Sequence, residues 1–507
     1  MLSSPKPVLS QSSWLTDSRR VLIVILASVL LLAQAVPLIY TRWVADESWY
    51  AAPADNLARF GELRMPVFAE TALQARVYVP SPALMLIEAG IFKVLGTSLY
   101  TAKLPSLLSA LAGIFLTYLL GCELESPLLG VVAAVFLATD NMYFVAARTA
   151  RPEAMVVFFS LCAILLYLYA RRRQSVWLAF LAGLMVGIGA LVHVNALSAG
   201  ITAGVLALIE FRAGIIRRAR PWAFVAGLIL PMVPYILWAT SDAVHREEFI
   251  KLYTTGEQYT LSQIPSLELS RYADFIGMPN SRFRFPVPLP YRLHVVVALI
   301  AAAWFLWRYN RGLFYKVLCL LLPCMLWWVY VRNQNVRYTA TAAPYFALLL
   351  AGAAIALWNA RPRWRKQVVA VAVLLLVAEV ASNYFLLYLY RKADYLALAD
   401  RFHSLIPKDA TVYGALHFWM AFHDQPFYSY NRTPLQYALD HGASYLVLND
   451  NLMLQGNGWG IDDWQKVRSD TTAFVRENAT LVGRTPNPYY GDMEIYRVNH
   501  PAPPPHR

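Results

Sequence analysis

The sequence predicts a mainly α, polytopic membrane protein: about eleven membrane-crossing helices, one interfacial helix, and a small extracytoplasmic α/β domain at the C-terminal end. Three observations predict it. Of 507 residues, 58% are hydrophobic and only 15% charged, with mean hydropathy +0.43, where a soluble chain of this size is roughly a quarter charged. The apolar residues fall in blocks of about 17–23, the length a helix needs to cross a hydrocarbon core. The Lys and Arg that give a net charge of +13 gather in short loops between those blocks, at Arg171-Arg172-Arg173, Arg217-Arg218-Ala219-Arg220 and Arg361 to Lys366. That is the positive-inside distribution. It leaves no basic face on a folded domain, which argues against a nucleic-acid partner.

Taken in order, the apolar blocks are 21–40, 104–121, 128–146, 153–170, 176–192, 196–211, 222–238, 293–307, 314–331, 339–358 and 367–390. The first also fits a cleavable signal peptide, with Arg19-Arg20 before it and Ala33-Gln34-Ala35 within it; its run on to Tyr40 favours a retained span. A twelfth stretch, 83–97, is short and carries Glu88 and Lys93. With 83–97 lying in the interface plane, short cytoplasmic loops hold 17 Lys and Arg against 4 in short outside loops. Letting it span would reverse that asymmetry, so it is read as an amphipathic surface helix. The N-terminus is then cytoplasmic, in a plasma or inner membrane.

The division that follows is a transmembrane unit, 1–390, with outer loops 41–103 and 239–292, and a C-terminal domain, 391–507. The tail mixes expected strands (411–414, 444–448, 494–498) with expected helices (393–405, 435–440). Its last residues, Pro-Ala-Pro-Pro-Pro and beyond, read as disordered. No internal repeat is visible. Cys122, Cys162, Cys319 and Cys324 lie in or beside apolar blocks and form neither a disulfide framework nor a metal motif.

No P-loop, GxGxxG, HExxH or GxSxG context is present. The cytoplasmic loops are about ten residues or fewer, too small to fold a nucleotide-binding unit, so any activated donor must arrive through the bilayer. The strongest local feature is Asp46-Glu47, just past the first span and flanked by Trp43 and Trp49. Adjacent carboxylates at a membrane surface are costly to desolvate unless they have a task; the alternative is a solvated acid pair beside an aromatic belt. On the same face lies Arg148-Thr-Ala-Arg151-Pro152-Glu153. Its arginines suit a phosphate, while Pro152 and Glu153 also make a good helix start with no chemistry at all.

Here the chain resembles the C-type membrane glycosyltransferases related to protein O-mannosyltransferases and the lipid A aminoarabinose transferase. The resemblance rests on Asp46-Glu47 after span one, Pro80-Ser81-Pro82-Ala83-Leu84, Phe92-Lys-Val-Leu-Gly96, Lys103-Leu104-Pro105-Ser106 and Ala150-Arg151-Pro152-Glu153-Ala154, in order over roughly residues 20–200. It departs from the family where a basic residue is often found near 80–82, at Lys103 in place of Arg, and at Glu153 in place of Asp.

The resemblance implies a polyprenyl-phosphate sugar as donor and a hydroxyl on a lipid, glycan or protein as acceptor. Asp46 is the expected general base, with Glu47 orienting it. Arg148 and Arg151 would steady the departing phosphate. Asp46 and Glu153 could instead share a divalent metal; no other cofactor is implied. His193, at the outer turn between spans five and six, and Arg337-Tyr338, before span ten, are further substrate-binding candidates, although an interface Arg or Tyr is often an anchor. A transporter or lipid flippase is the rival class, but its ionisable residues belong near the midplane, whereas these collect at outer helix ends.

Overall fold

The computed structural model describes residues 18–35, 42–77, 81–254, 261–276, 292–331, 336–449 and 464–500. Among them, seven helices are long and apolar enough to cross a membrane: Leu99–Leu124, Glu153–Arg173, Val194–Phe211, Ala219–Ala239, Arg311–Val329, Val336–Ala360 and Pro362–Tyr388. Shorter apolar helices at Leu22–Leu32, Val176–Val192 and Leu293–Tyr309 fall on three more of the expected spans. Small residues let some of these helices touch backbone to backbone. A Cβ at Gly183 would meet the Phe224 carbonyl, and one at Gly227 the Phe180 carbonyl, so the Val176–Val192 and Ala219–Ala239 helices pack through their glycines.

The stretch expected as one span over 128–146 is instead broken. Pro127–Thr139 and Asn141–Ala147 meet at a 68° bend. Asp140 stands at the break and caps the second piece, its Oδ1 accepting from Tyr143 N–H at 2.9 Å. Helix breaks survive in a bilayer only when neighbours satisfy the freed backbone groups, and here Glu379 Oε2 accepts from Asn141 N–H at 2.9 Å while Asn383 Nδ2 donates to the Thr139 carbonyl at 3.0 Å.

The 83–97 stretch forms the helix Pro82–Leu95, 14 residues long. At 1.5 Å per residue it reaches about 21 Å, short of a ~30 Å core. One side of it buries Leu84, Met85, Glu88 and Phe92, and the other exposes Leu86, Val94 and Leu95.

The tail is built on a five-stranded sheet of β1 (Thr411–Gly414), β2 (Phe427–Ser429), β3 (Ala443–Asn449), β4 (Ala479–Thr485) and β5 (Met493–Val498), in the order β2-β1-β3-β5-β4. β1 runs parallel to β2 and β3, while β5 is antiparallel to β3 and β4. Helices Tyr395–Leu405 and Leu435–Asp440 lie where expected, as do β1, β3 and β5. Strands β2 and β4 were not anticipated: β2 has three residues, and β4 is a half-exposed edge strand without apolar alternation. Residues 501–507 lie outside the described set.

Two cores result, one inside the helix bundle and one outside it. The outer core joins the segment 42–103 to the tail, so Trp43, Met65 and Phe68 are buried in one cluster with Tyr413, Phe418 and Leu446. Ser429 N–H and Thr433 Oγ1 both donate to the Val67 carbonyl, at 2.9 and 3.0 Å, and Arg59 pairs with Asp424 at 2.9 Å. A boundary near 390 divides the sequence, but the 42–77 segment and the tail share one core.

Candidate active site

The helix Ala45–Phe60 starts at Val44, whose backbone is extended (φ −129°, ψ 164°), and ends where Gly61 turns left-handed at φ 75°. Asp46 and Glu47 sit in its first turn, where the helix dipole favours carboxylates. Glu47 is fully buried. Its Oε2 accepts from Val44 N–H at 2.9 Å and its Oε1 from Ala150 N–H at 2.9 Å. The side chain thus fastens the helix start to the 148–152 turn, and it has no reach left for substrate. Asp46 keeps 46% of its side chain exposed.

Arg151 joins the two halves of the site. It is 3% exposed; Nη1 donates to Asp46, while Nε and Nη2 donate to Glu153 Oε1 at 2.9 and 2.8 Å. Ser106 Oγ holds the turn from behind by donating to the Arg151 carbonyl at 2.8 Å. Arg337 lies with Nη1 3.7 Å from Asp46 Oδ2. Burial works to raise the Asp46 carboxyl, yet Arg151, Arg337 and Arg42 outweigh it and hold it below the ordinary carboxylate value. Burial is resisted in the same way at Arg151, whose cation Glu153 and Asp46 hold firmly charged.

The other expected residues line the same region. The Tyr338 and His193 rings meet at a tilt of 36°, with centroids 4.9 Å apart. His193 Nδ1 accepts from Asn195 N–H at 3.2 Å, and burial pushes the imidazole down to about 4, so it is neutral at pH 7. Arg148 is half-buried and lies over the Phe144 ring at 5.3 Å. All eight sequence candidates therefore fall at one end of the helix bundle.

The geometry gives Arg151 contacts other than the phosphate expected of it. Arg151 spends its donors on carboxylates, so a phosphate would have to displace Asp46 or Glu153 to reach it. For the same reason the residues do not fit a metal shared by Asp46 and Glu153: a guanidinium already stands between them, supplying the positive charge. No group of three or more metal-ligating side chains occurs among the described residues.

Sequence reasoning passed over Arg42 and Lys103. Lys103 Nζ donates to the Arg42 carbonyl at 2.6 Å, lies 4.0 Å from Glu47 Oε1 and sits 5.9 Å from the Trp43 ring centroid. The signal was present, since Lys103 and Ser106 are the polar ends of the Lys103-Leu-Pro-Ser106 element, and both bind backbone carbonyls of the site. Pro80, in the neighbouring motif, lies outside the described residues.

Residues 79–238 match the family model described as dolichyl-phosphate-mannose-protein mannosyltransferase. An uncharacterized protein of Aquifex aeolicus is 30% identical over 145 residues, which spans 28% of each chain. Among solved structures, ArnT from Cupriavidus metallidurans superposes with a TM-score of 0.61 at 14% identity in its apo state, covering 96% of this chain and 98% of that one. The same protein bound to undecaprenyl phosphate gives 0.61 at 15% identity over 98% of this chain and all of that one. An oligosaccharyltransferase of Archaeoglobus fulgidus gives 0.52 at 12% identity, over 88% of this chain and 70% of that one. This chain is an integral membrane protein with the fold of ArnT and of the Archaeoglobus oligosaccharyltransferase, and its residues 79–238 are similar to the family model named above.

Proposed function

We propose that the protein transfers a sugar from a polyprenyl-phosphate carrier to an acceptor hydroxyl on the extracytoplasmic face. One observation carries this reading: Asp46, the half-exposed carboxylate of the site, stands among cations at the outer ends of the spans, in a fold shared with a protein solved bound to undecaprenyl phosphate. The acceptor oxygen attacks the anomeric carbon, the carbon–oxygen bond to phosphate breaks, and its electron pair leaves on the phosphate. The acceptor proton passes to Asp46. Phosphate is a stable anion on leaving, so a single base suffices, worth about 10²–10⁴-fold.

The cations then have a double use. In the free protein they keep Asp46 ionised but weakly basic. An incoming lipid phosphate competes for Arg337, with Arg42 and Arg148 close by, and drawing Arg337 away from Asp46 raises its proton affinity as donor binds. Arg151 stays with Asp46 and Glu153 and fixes the direction of the carboxylate. Glu47 keeps the helix start in place. The acceptor is a lipid, glycan or protein reached from the outer face, and the N-terminus lies on the cytoplasmic side.

Proteoliposomes given labelled polyprenyl-phosphate sugar on their outside test both chemistry and orientation. Carrier phosphate should be released by the molecules whose Ser469→Cys variant takes an impermeant maleimide from that same side. Intact donor under all acceptors tried, or its movement across the bilayer without cleavage, would reject the reading in favour of a flippase.

A further inference from the structure

The tail reaches into the site at two neighbouring residues: the Tyr489 ring lies under the Arg42 guanidinium at 5.3 Å, and Tyr490 binds the backbone beside it. Tyr490 is buried, and its hydroxyl makes two hydrogen bonds to a residue 447 positions away: it accepts from Trp43 N–H at 3.0 Å and donates to the Trp43 carbonyl at 3.0 Å. Trp43 precedes Val44, where the chain turns into the Asp46 helix. Trp43 is itself fully buried, with Nε1 donating to Ser48 Oγ at 2.7 Å inside that helix. Both polar groups of this peptide are far from water, so Tyr490 is their means of satisfaction. Lys103 holds the preceding carbonyl, of Arg42. The approach to the catalytic helix is therefore clamped at two consecutive residues.

The clamp is seated rigidly. Asn487 Oδ1 accepts from the N–H groups of both Tyr489 and Tyr490, at 2.9 Å each, and Asn449 Nδ2 donates to the Tyr490 carbonyl at 3.0 Å. The ring stacks on His417 at 5.7 Å, nearly parallel, and meets Tyr395 edge-on at 5.8 Å. Apolar packing alone would tether the tail to the outer loop. A hydroxyl matched to both polar groups of one peptide also fixes the angle at which the next residues leave.

We propose that Tyr490 is a positioning residue of the transferase site, supplied by the C-terminal domain, which sets the start of the Asp46 helix through the Trp43 backbone. The inference rests on Asp46 being the base. A tail that only selected acceptors would leave this helix alone. Burial keeps the phenol protonated far above neutral pH, so the donor is always available.

The test is Tyr490→Phe in the full-length protein in nanodiscs, with Tyr413→Phe as control. Tyr413 is equally buried in the tail, but its hydroxyl donates to the Thr433 carbonyl at 2.9 Å and not to Trp43. Tyr490→Phe should lower kcat about tenfold or more, leave donor affinity near wild type, and move the acid limb of kcat as the Arg151–Asp46 geometry loosens. Amide hydrogen exchange over Trp43–Glu47 should quicken by about tenfold, and neither change should occur in Tyr413→Phe. Unchanged exchange at Trp43–Glu47, or equal effects from both variants, overturns the positioning role. Normal exchange in Tyr490→Phe with an inactive Asp46→Asn removes the clamp and keeps the base. Faster exchange with a fully active Asp46→Asn keeps the clamp on the helix and removes the base.

Discussion

The molecule builds the same three-residue device twice. At one end of the helix bundle Arg151 stands between Asp46 and Glu153; at the bend of the broken span Arg292 stands between Asp140 and Glu379, with Nη2 2.8 Å from both carboxylates. The chemistry of the pairs is identical and their surroundings are not. Arg292 is wholly buried and its partners keep 16% and 10% of their side chains exposed, against 46% for Asp46. Around the inner set, hydrogen bonds continue through Asn141 and Asn383 to backbone at the break, and His294 Nε2 lies 3.2 Å from Glu379 Oε1. A small cavity of about 30 Å³ beside it is lined by Phe136, Val295, Phe346 and Leu350. Around the outer set the neighbours are more cations. A closed triad braces a bent helix, while an open one keeps one carboxylate in reach of water among surplus cations.

The largest effect should come from the closed triad. Arg292→Met leaves two carboxylates facing each other away from water, which costs about 3–5 kcal/mol out of a total that is typically 5–15 kcal/mol. Thermal unfolding in detergent should show it as a large loss of folded protein, while the surviving folded fraction keeps its donor affinity. A variant as stable as wild type would mean the inner triad is no brace, and the contrast between the two sets would fail.

Next comes Asp46→Asn, which should do the reverse. Folded yield and unfolding midpoint should stay close to wild type, because the buried Arg151 keeps its hydrogen bonds to Glu153 and the Asp46 side chain remains in reach of water. Turnover should fall by about two orders of magnitude or more with little change in donor affinity. Near-normal turnover in a well-folded Asp46→Asn protein would put the base elsewhere, with Glu153 the next carboxylate to change.

How far each triad was legible follows from where its members lie. The spans could be read because apolar length is a local property, and Asp46-Glu47 because two acids past a span stand out in nine residues of sequence. The outer arginine and its acid are two positions apart, so that half of the triad also sits in one motif. The inner triad draws on Asp140, Arg292 and Glu379, separated by 152 and 87 positions, and nothing local connects them. A hint existed in Thr139-Asp140-Asn141, three polar residues inside an apolar run, since an ionisable residue at membrane depth needs a partner. Tyr490 offered no hint, because a tyrosine that satisfies a distant peptide looks like any other buried ring.

The smallest effect is the most diagnostic of how the open triad works. If Asp46 is the base, activity requires it ionised, and the acid limb of kcat/KM should lie at its pKa, held below the ordinary value of ~3.9 by the arginines. Arg337→Gln removes one of those cations from 3.7 Å. The sign is fixed: with less positive charge nearby the carboxylate binds its proton more tightly, so the limb moves up in pH. The linked stability follows the same direction, since the depressed carboxyl stabilises the fold above its unfolded pKa and that contribution, lost as pH falls through the folded pKa, becomes smaller in the variant. Donor binding should weaken as well, by a charge-assisted contact worth about 1.5–3 kcal/mol. The two readouts separate the roles. A weaker donor with an unmoved limb would make Arg337 a phosphate ligand that does not tune Asp46, and a moved limb with unchanged donor affinity would make it a tuning charge alone. Only both together fit a site in which the lipid phosphate draws a cation away from the base.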